Sequence, residues 1–169
     1  MRTYLQRLGK SLMLPISVLP VVSLLFGTGY AINSTMWGKG SLLAGLLIKA
    51  GLAVIENIPM LFAVGIPVGL SRERDGVSAL SGLTGFLLVQ NILDPKNLPV
   101  MGKMDPAVFY AAFGKINNAF IGVLVGILVS VIYNRFSRTE LVSVLSFFSG
   151  RRLVPILTVF FMILLSGVL

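Results

Sequence analysis

The chain has 169 residues, of which 56% are apolar and only 12% charged, and its formal net charge is +8. A mean hydropathy of +0.93 lies far outside the usual balance of a water-soluble domain and predicts an all-α integral membrane protein. The basic residues form short clusters between apolar stretches, so membrane orientation explains them better than nucleic-acid binding. Because the chain contains neither cysteine nor histidine, we expect no metal site, no cofactor and no catalytic residues.

Five stretches approach the roughly 20 residues that a membrane-spanning helix needs. In chain order they cover residues 11–32, about 52–70, 76–92, 116–133 and 153–169. The basic N-terminus has the start of a signal peptide, but the apolar run after it is too long and has no small-residue cleavage site. We therefore interpret residues 11–32 as a retained first span.

Two prolines, Pro15 and Pro20, interrupt the first span, and each removes a backbone donor and frees a carbonyl one turn earlier. Irregular backbone at membrane depth is tolerated only against protein or a water-filled cavity. Either these prolines mark a span beside a transport pathway or they produce a simple packing kink. We expect the freed carbonyls to need shielding from a partner.

Residues 41–56 form a gentler apolar segment in which Lys49 and Glu56 share one helical face. This segment is either an interfacial helix or the outer part of the second span, and we favour the interfacial helix. Asn57 follows it, ahead of Pro59 and Pro67. The Asn57 amide could contact a sugar, although an intramembrane asparagine more often bonds a neighbouring helix.

Four consecutive charges, at residues 72–75, interrupt the apolar pattern and mark a short aqueous loop. The positive-inside rule places nine basic residues on the cytoplasmic side against five outside, so the N-terminus is predicted to be cytoplasmic. The nine are Arg2, Arg7, Lys10, Arg72, Arg74, Arg135, Arg138, Arg151 and Arg152. Residues 94–106 have the proline and aspartate chemistry of an external loop.

Two later features each allow two interpretations. Gly122 and Gly126 form a GxxxG pattern, which permits close helix contact either within the chain or across a dimer. Arg151 and Arg152 could hold a phosphate or could simply anchor the last span. That span is still apolar at Leu169 and has no flanking anchor, so we expect the chain to be part of a longer protein, although a natural C-terminal span can also end this way.

Four longer motifs follow one another along the chain: GKSLMLPISVLP at 9–20, NIPMLFAVGIPVGL at 57–70, DGVSAL at 75–80 and LSFFSGRRLVPI at 145–156. Together they resemble the sugar permeases of the phosphotransferase system. Their order and approximate spacing are similar to the membrane, or IIC, component of permeases for glucose, N-acetylglucosamine or maltose-type sugars. The resemblance extends over nearly the whole chain and corresponds to the N-terminal half of that component.

The resemblance implies import of a hexose-type sugar coupled to its phosphorylation by a cytoplasmic IIB domain. The IIA component is implied as a further partner. The resemblance also implies a homodimer formed largely by this half, and a C-terminal half that carries the principal sugar site. Lys10, Met13, Pro15 and Asn57 would then belong to the substrate pathway or its gate. The residues assigned to a cytoplasmic loop or to IIB docking are Asp75, Gly76, Arg151 and Arg152.

Two functions follow from this resemblance. The chain could supply the dimerisation scaffold and part of the pathway wall of a permease, as a fragment or as one piece of a split transporter. Alternatively, it could be a stand-alone, truncated membrane protein derived from a permease, which either regulates a full-length relative or does not function in transport. An independent pore is disfavoured, because the spans lack rings of charged or carbonyl ligands.

Overall fold

All regular structure in the described part of the chain is helical, which confirms the predicted all-α fold. The computed structural model describes residues 2–34, 41–73, 75–94, 114, 116–140, 147 and 149–169. Its α-helices are α1 (Arg2–Ile16), α2 (Leu19–Ser34), α3 (Leu42–Glu56), α4 (Ile58–Leu70), α5 (Gly76–Ile92), α6 (Ala119–Phe136) and α7 (Leu153–Val168), with a 3₁₀ turn at Gly150–Arg152. Most of the external loop predicted at 94–106 lies outside the described residues.

Three helical stretches of the described part are long and apolar enough to cross a membrane, namely Gln6–Asn33, Ala119–Phe136 and Gly150–Val168. A fourth candidate consists of α3 and α4 together, which are bent by 55° at their junction. The helix α5 coincides with the predicted span 76–92 but has only 17 residues. The number of five spans therefore stays a prediction.

Two of the predicted spans are interrupted near proline and asparagine residues. The first span is divided at Ser17 and Val18, shortly after Pro15, so that α1, which ends at Ile16, and α2 are separate helices. The predicted span 52–70 is divided at Asn57, whose backbone (φ −103°, ψ 12°) leaves the helix before Pro59. Residues 52–56 thus belong to α3, which matches the segment predicted to be interfacial and packs against α2.

The helix α4 lies at the centre of the described bundle and packs against α1, α5 and α6. Its inner residues are buried; they are Pro59, Ala63, Ile66, Pro67 and Leu70. Around it, α5, α6 and α7 contribute the main apolar core, which includes Phe86, Val125 and Met162. The central position of α4 therefore depends on how closely its neighbours approach.

Gly122 and Gly126 allow that close approach on the α6 side. A Cβ atom at Gly122 would collide with the carbonyl group of Pro59, and one at Gly126 would lie 2.9 Å from Ile66 Cβ. This GxxxG pattern thus mediates contact within the chain, between α6 and α4. Of the two predicted interpretations, contact within the chain or contact across a dimer, the structure shows the first.

Pro67 frees a backbone carbonyl that α5 shields. A proline at position 67 cannot donate to the carbonyl of Ala63, four residues earlier. Gly82 of α5 packs directly against this oxygen, where any side chain would clash. Such a contact excludes lipid and permits a weak Cα–H···O interaction. The shielding expected from a partner is therefore supplied at Pro67 by the chain itself.

The two ends of the bundle differ in polarity. At one end, the start of α1, the α4–α5 loop, the end of α6 and the start of α7 come together. At the other end, the α3–α4 bend meets the start of α6, where Asn117 Nδ2 donates to the Glu56 carbonyl at 3.4 Å. Most of the charged residues expected on the cytoplasmic side are at the first end.

We expect Gly122→Ala to destabilise the protein by about 1–3 kcal/mol, since the added methyl group overpacks the α4–α6 contact. The free energy of unfolding of the detergent-solubilised chain would measure this effect. Gly45→Ala is the matched control, because a Cβ at Gly45 would meet no atom within 4 Å. Equal stability of the two variants would contradict the close contact between α4 and α6.

Candidate functional site at the polar end of the bundle

The loop between α4 and α5 is fixed at its end by Asp75, which caps the N-terminus of α5. Asp75 Oδ1 accepts a hydrogen bond from the Ser78 backbone N–H at 3.1 Å, and the Ser78 hydroxyl donates to the Asp75 carbonyl at 2.7 Å. A carboxylate in this position satisfies an orphan donor and complements the helix dipole. The loop thus enters α5 in a defined direction.

Tyr133 of α6 reaches the same carboxylate from the opposite side. Its hydroxyl donates to Asp75 Oδ2 at 2.6 Å, and the side chain of Tyr133 is fully buried. Hydrogen bonds to an ionised acceptor are short and strong. This bond joins residues 58 positions apart and attaches the start of α5 to the end of α6.

Two arginines complete the polar cluster, which we define as Glu73, Asp75, Tyr133, Arg138 and Arg151. Arg151 Nη1 lies 3.4 Å from Asp75 Oδ2, while its Nη2 pairs with Glu73 Oε2. Arg138 Nη2 lies 3.4 Å from Glu73 Oε1. Both arginines are more than half exposed, so their ion pairs contribute little and the buried tyrosine–carboxylate bond is the stronger attachment.

Asn134, next to the polar cluster, closes the C-terminus of α4. Its Nδ2 donates to the Leu70 carbonyl at 3.1 Å, and its Oδ1 accepts from the Arg72 backbone N–H at 3.0 Å. The last carbonyls of a helix have no partner within it. The Asn134 side chain therefore provides a partner for the last carbonyl of α4 and for the backbone N–H of Arg72, and so orients the residues that follow the helix.

The four residues predicted for a cytoplasmic loop or docking lie near one another. Asp75 and Arg151 are in direct contact, and Gly76 is the first residue of α5. Arg152 points to a different partner: its Nη1 donates to the Phe147 carbonyl at 3.3 Å, and its guanidinium group lies 4.7 Å from the centre of the Phe147 ring. The two arginines therefore have separate partners within the chain.

The four residues predicted for the pathway are dispersed. Lys10 is exposed and lines a cavity near the polar cluster, whereas Met13 is 67% exposed on the surface of α1. Pro15 is buried, and its ring would lie 2.9 Å from a Cβ at Gly65. Asn57 is at the far end of α4, exposed, with its Nδ2 donating to the Ala53 carbonyl at 2.7 Å. This amide therefore bonds the preceding turn of its own chain.

Sequence reasoning missed Tyr133, Asn134 and Glu73 as members or neighbours of the site. An aspartate followed by Gly76 and Ser78 is a readable N-cap, but the cap gives no indication of a tyrosine from a distant helix. The sequence signal that could have pointed to this site was the polar pair Tyr133 and Asn134 at the end of the otherwise apolar α6. Because such residues are common at a membrane interface, the sequence did not identify their hydrogen-bond partners, and only the structure does.

The polar cluster can hold elements together and present arginine side chains. Its carboxylates are engaged by arginine and tyrosine, and among the described residues no group of three His, Cys, Asp or Glu could hold a metal ion. Its chemistry is that of a structural junction with an exposed basic surface.

Apolar helices around a glycine-lined centre, with basic residues collected at one end, define a multi-pass membrane protein. Residues 9–169 match the family described as "Phosphotransferase system, EIIC". The chain belongs to this family, whose members with curated descriptions are multi-pass proteins of the bacterial cytoplasmic membrane. The resemblance inferred from the four motifs and the predicted location are thereby confirmed.

Two curated relatives extend the comparison. The chain is 37% identical to "PTS system N-acetylglucosamine-specific EIICB component" of Bacillus subtilis over 168 residues, which cover 99% of the chain and 32% of that protein. It is 34% identical to "PTS system N-acetylglucosamine-specific EIIC component" of Streptomyces coelicolor, covering 92% of the chain and 38% of that protein. The chain thus spans about a third of the length of these relatives.

Replacing Tyr133 by phenylalanine is expected to lower the free energy of unfolding by about 1.5–3 kcal/mol, because the partly buried, charged Asp75 carboxylate loses a donor. Chemical denaturation in detergent would measure the loss. Tyr30→Phe is the control, since Tyr30 is 57% exposed on α2.

A double-mutant cycle with Asp75→Asn isolates the bond, because asparagine keeps the capping oxygen but removes the charge. We expect the two substitutions to be clearly non-additive. Strict additivity would mean that the Tyr133–Asp75 bond does not stabilise the junction.

Proposed function

We propose that this chain forms the N-terminal part of the membrane component of a sugar permease. The permease imports N-acetylglucosamine or a similar hexose and couples import to phosphorylation. The observation that carries this proposal is the match of residues 9–169 to the EIIC family, together with 37% and 34% identity to two proteins described as N-acetylglucosamine-specific.

The role of the chain within the permease is to supply a scaffold and part of the pathway wall. Its centre is closely packed, because α4 is enclosed by α1, α5 and α6. Its periphery is apolar and open: Leu24 is 69% exposed, Leu42 79% and Phe160 58%. These faces suit contact with lipid, with the C-terminal half of the membrane component and with a second copy in a homodimer.

The polar end of the bundle faces the cytoplasm in this proposal. The charged loop between α4 and α5 is at this end, together with Lys10, Arg138 and Arg151. An excess of lysine and arginine in short loops marks the cytoplasmic side. The N-terminus would then be cytoplasmic, and the bend at Asn57 would lie toward the outer face.

In this orientation, the phosphorylated IIB domain approaches the surface formed by Asp75, Gly76, Arg151 and Arg152. Arg151 keeps 54% of its side chain exposed while it pairs with Glu73, so it can exchange partners with an incoming phosphate. Of the predicted pathway residues, Met13 has the most open position, and Pro15 acts through packing against Gly65. Asn57 would line the outer mouth.

The proposal predicts that this chain can replace the matching N-terminal third of the Bacillus subtilis relative. Cells without their own N-acetylglucosamine permease would be given this chimera, and uptake of the radiolabelled sugar and formation of its phosphate would be measured. We expect uptake well above that of cells with the empty vector.

Gly122→Leu in the chimera should abolish uptake by separating α6 from α4, whereas Gly45→Leu should preserve it. A chimera that inserts into the membrane at normal abundance but transports nothing would contradict the scaffold role.

In the same chimera, Arg151→Ala is expected to lower sugar phosphorylation about tenfold or more, the loss expected for a charge-assisted bond to phosphate, while leaving sugar binding unchanged. Arg138→Ala is the matched control, because it also removes an ion pair with Glu73 but belongs to no predicted docking surface. Equal phosphorylation in the two variants would contradict the docking assignment.

A further inference from the structure

A cavity between α1 and the end of α4 collects three basic side chains. Ser11 of α1 packs against Gly69 of α4 so closely that a Cβ at Gly69 would clash with it. This contact brings the face of α1 that carries Arg7 and Lys10 beside Arg72, the second residue after α4. The cavity, which we call the basic pocket, has a volume of about 370 Å³, within the range of small-ligand sites.

Among the described residues, no carboxylate forms an ion pair with the basic side chains of the pocket. Its lining residues are Arg7, Lys10, Gly69, Leu70, Ser71 and Arg72, and none of them is acidic. Across the part of the chain that the structure describes, every ion pair of the neighbouring carboxylates, Glu73 and Asp75, involves Arg138 or Arg151. The three cations of the pocket are therefore available for an external anion.

Two carbonyls near the C-terminus of α4, those of Pro67 and Leu70, already accept hydrogen bonds. The oxygen of Pro67 accepts from the backbone N–H of Ser71 at 2.8 Å and also from the Ser71 hydroxyl. The oxygen of Leu70 accepts from Asn134. Because these acceptors are already engaged, the helix end contributes less negative charge to the pocket than an open C-terminus would.

A groove lined by both polar and apolar residues continues from the basic pocket along the same helix seam. It is a second cavity of about 360 Å³ that shares Lys10 and Gly69 with the pocket and is also lined by Ser11, Leu14 and Val68. Leu14 is half exposed in this groove. A ligand that fills both cavities needs an anionic head and an apolar tail.

The pocket and groove lie near the start of a helical stretch that is long and apolar enough to cross a membrane. This stretch, Gln6–Asn33, covers most of α1 and α2, so Arg7 and Lys10 are in its first turns. With 28 residues, this stretch is longer than the roughly 20 that cross the hydrocarbon, and its ends reach the interface. Long basic side chains in such positions extend toward the headgroups.

From this geometry we propose that the seam between α1 and α4 is a binding site for an anionic phospholipid. The phosphate occupies the basic pocket between Arg7, Lys10 and Arg72, and an acyl chain lies along the groove beside Leu14 and Val68. Arginine forms bidentate bonds to phosphate, and basic pockets between membrane helices hold lipid headgroups. The lipid would fasten α1 to α4 at the polar end of the bundle.

Native mass spectrometry of the full chain in neutral detergent tests this site, with phosphatidylglycerol and phosphatidylcholine added separately. We expect selective retention of phosphatidylglycerol, reduced about fivefold in Lys10→Gln and further in Arg7→Gln/Lys10→Gln, the size expected for each basic residue near an anionic lipid. Lys10→Arg should retain the lipid, because it keeps the charge.

Lys49→Gln is the matched control, since Lys49 is an exposed lysine on an apolar helix outside the pocket. Equal retention by Lys10→Gln and Lys49→Gln would overturn the site, as would equal retention of phosphatidylcholine. Complete displacement of phosphatidylglycerol by soluble glycerol 3-phosphate at the same concentration would also overturn it, because the groove would then contribute nothing. Circular dichroism would verify that each variant keeps its helical content.

Discussion

The arrangement of this bundle depends on backbone-to-backbone contact at α4. In a membrane, water does not drive apolar helices together, so association relies on packing and on satisfied polar groups. Gly82 of α5 and Gly122 of α6 lie against carbonyl groups of α4, and Gly69 of α4 lies against Ser11 of α1. A side chain at any of these glycines would separate a pair of helices. The same contact at Gly82 shields the carbonyl that Pro67 leaves free.

The polar end follows from that packing. Once α4, α5 and α6 are held at short distance, the hydroxyl of Tyr133 can reach Asp75 and the amide of Asn134 can reach the last turn of α4. Tyr133 is fully buried, whereas Arg138 and Arg151 are largely exposed. The buried hydrogen bond therefore fixes the junction, and the surface ion pairs can change partners at little cost.

Local features of the sequence predicted local structure well. The bounds of α5 follow from the charged loop before it, and α3 follows from the gentler segment 41–56. Contacts between distant helices could not be predicted in this way. A GxxxG pattern does not identify its partner, and nothing near Tyr133 indicates a carboxylate 58 residues earlier. Arg151 and Arg152 read as a pair in sequence, yet one bonds Glu73 and the other Phe147.

The structure also shows that the basic residues of the predicted cytoplasmic side differ in their surroundings. All of them enter the same positive-inside argument, but Arg138 and Arg151 face carboxylates, while Arg7, Lys10 and Arg72 line a cavity that has no carboxylate among its described lining residues. Attraction to an anionic surface depends on charge that has no partner in the protein, and a paired arginine must first give up its carboxylate. The α1–α4 seam is thus the part of the polar end best suited to hold a lipid phosphate, whereas the polar cluster is suited to join α5, α6 and α7.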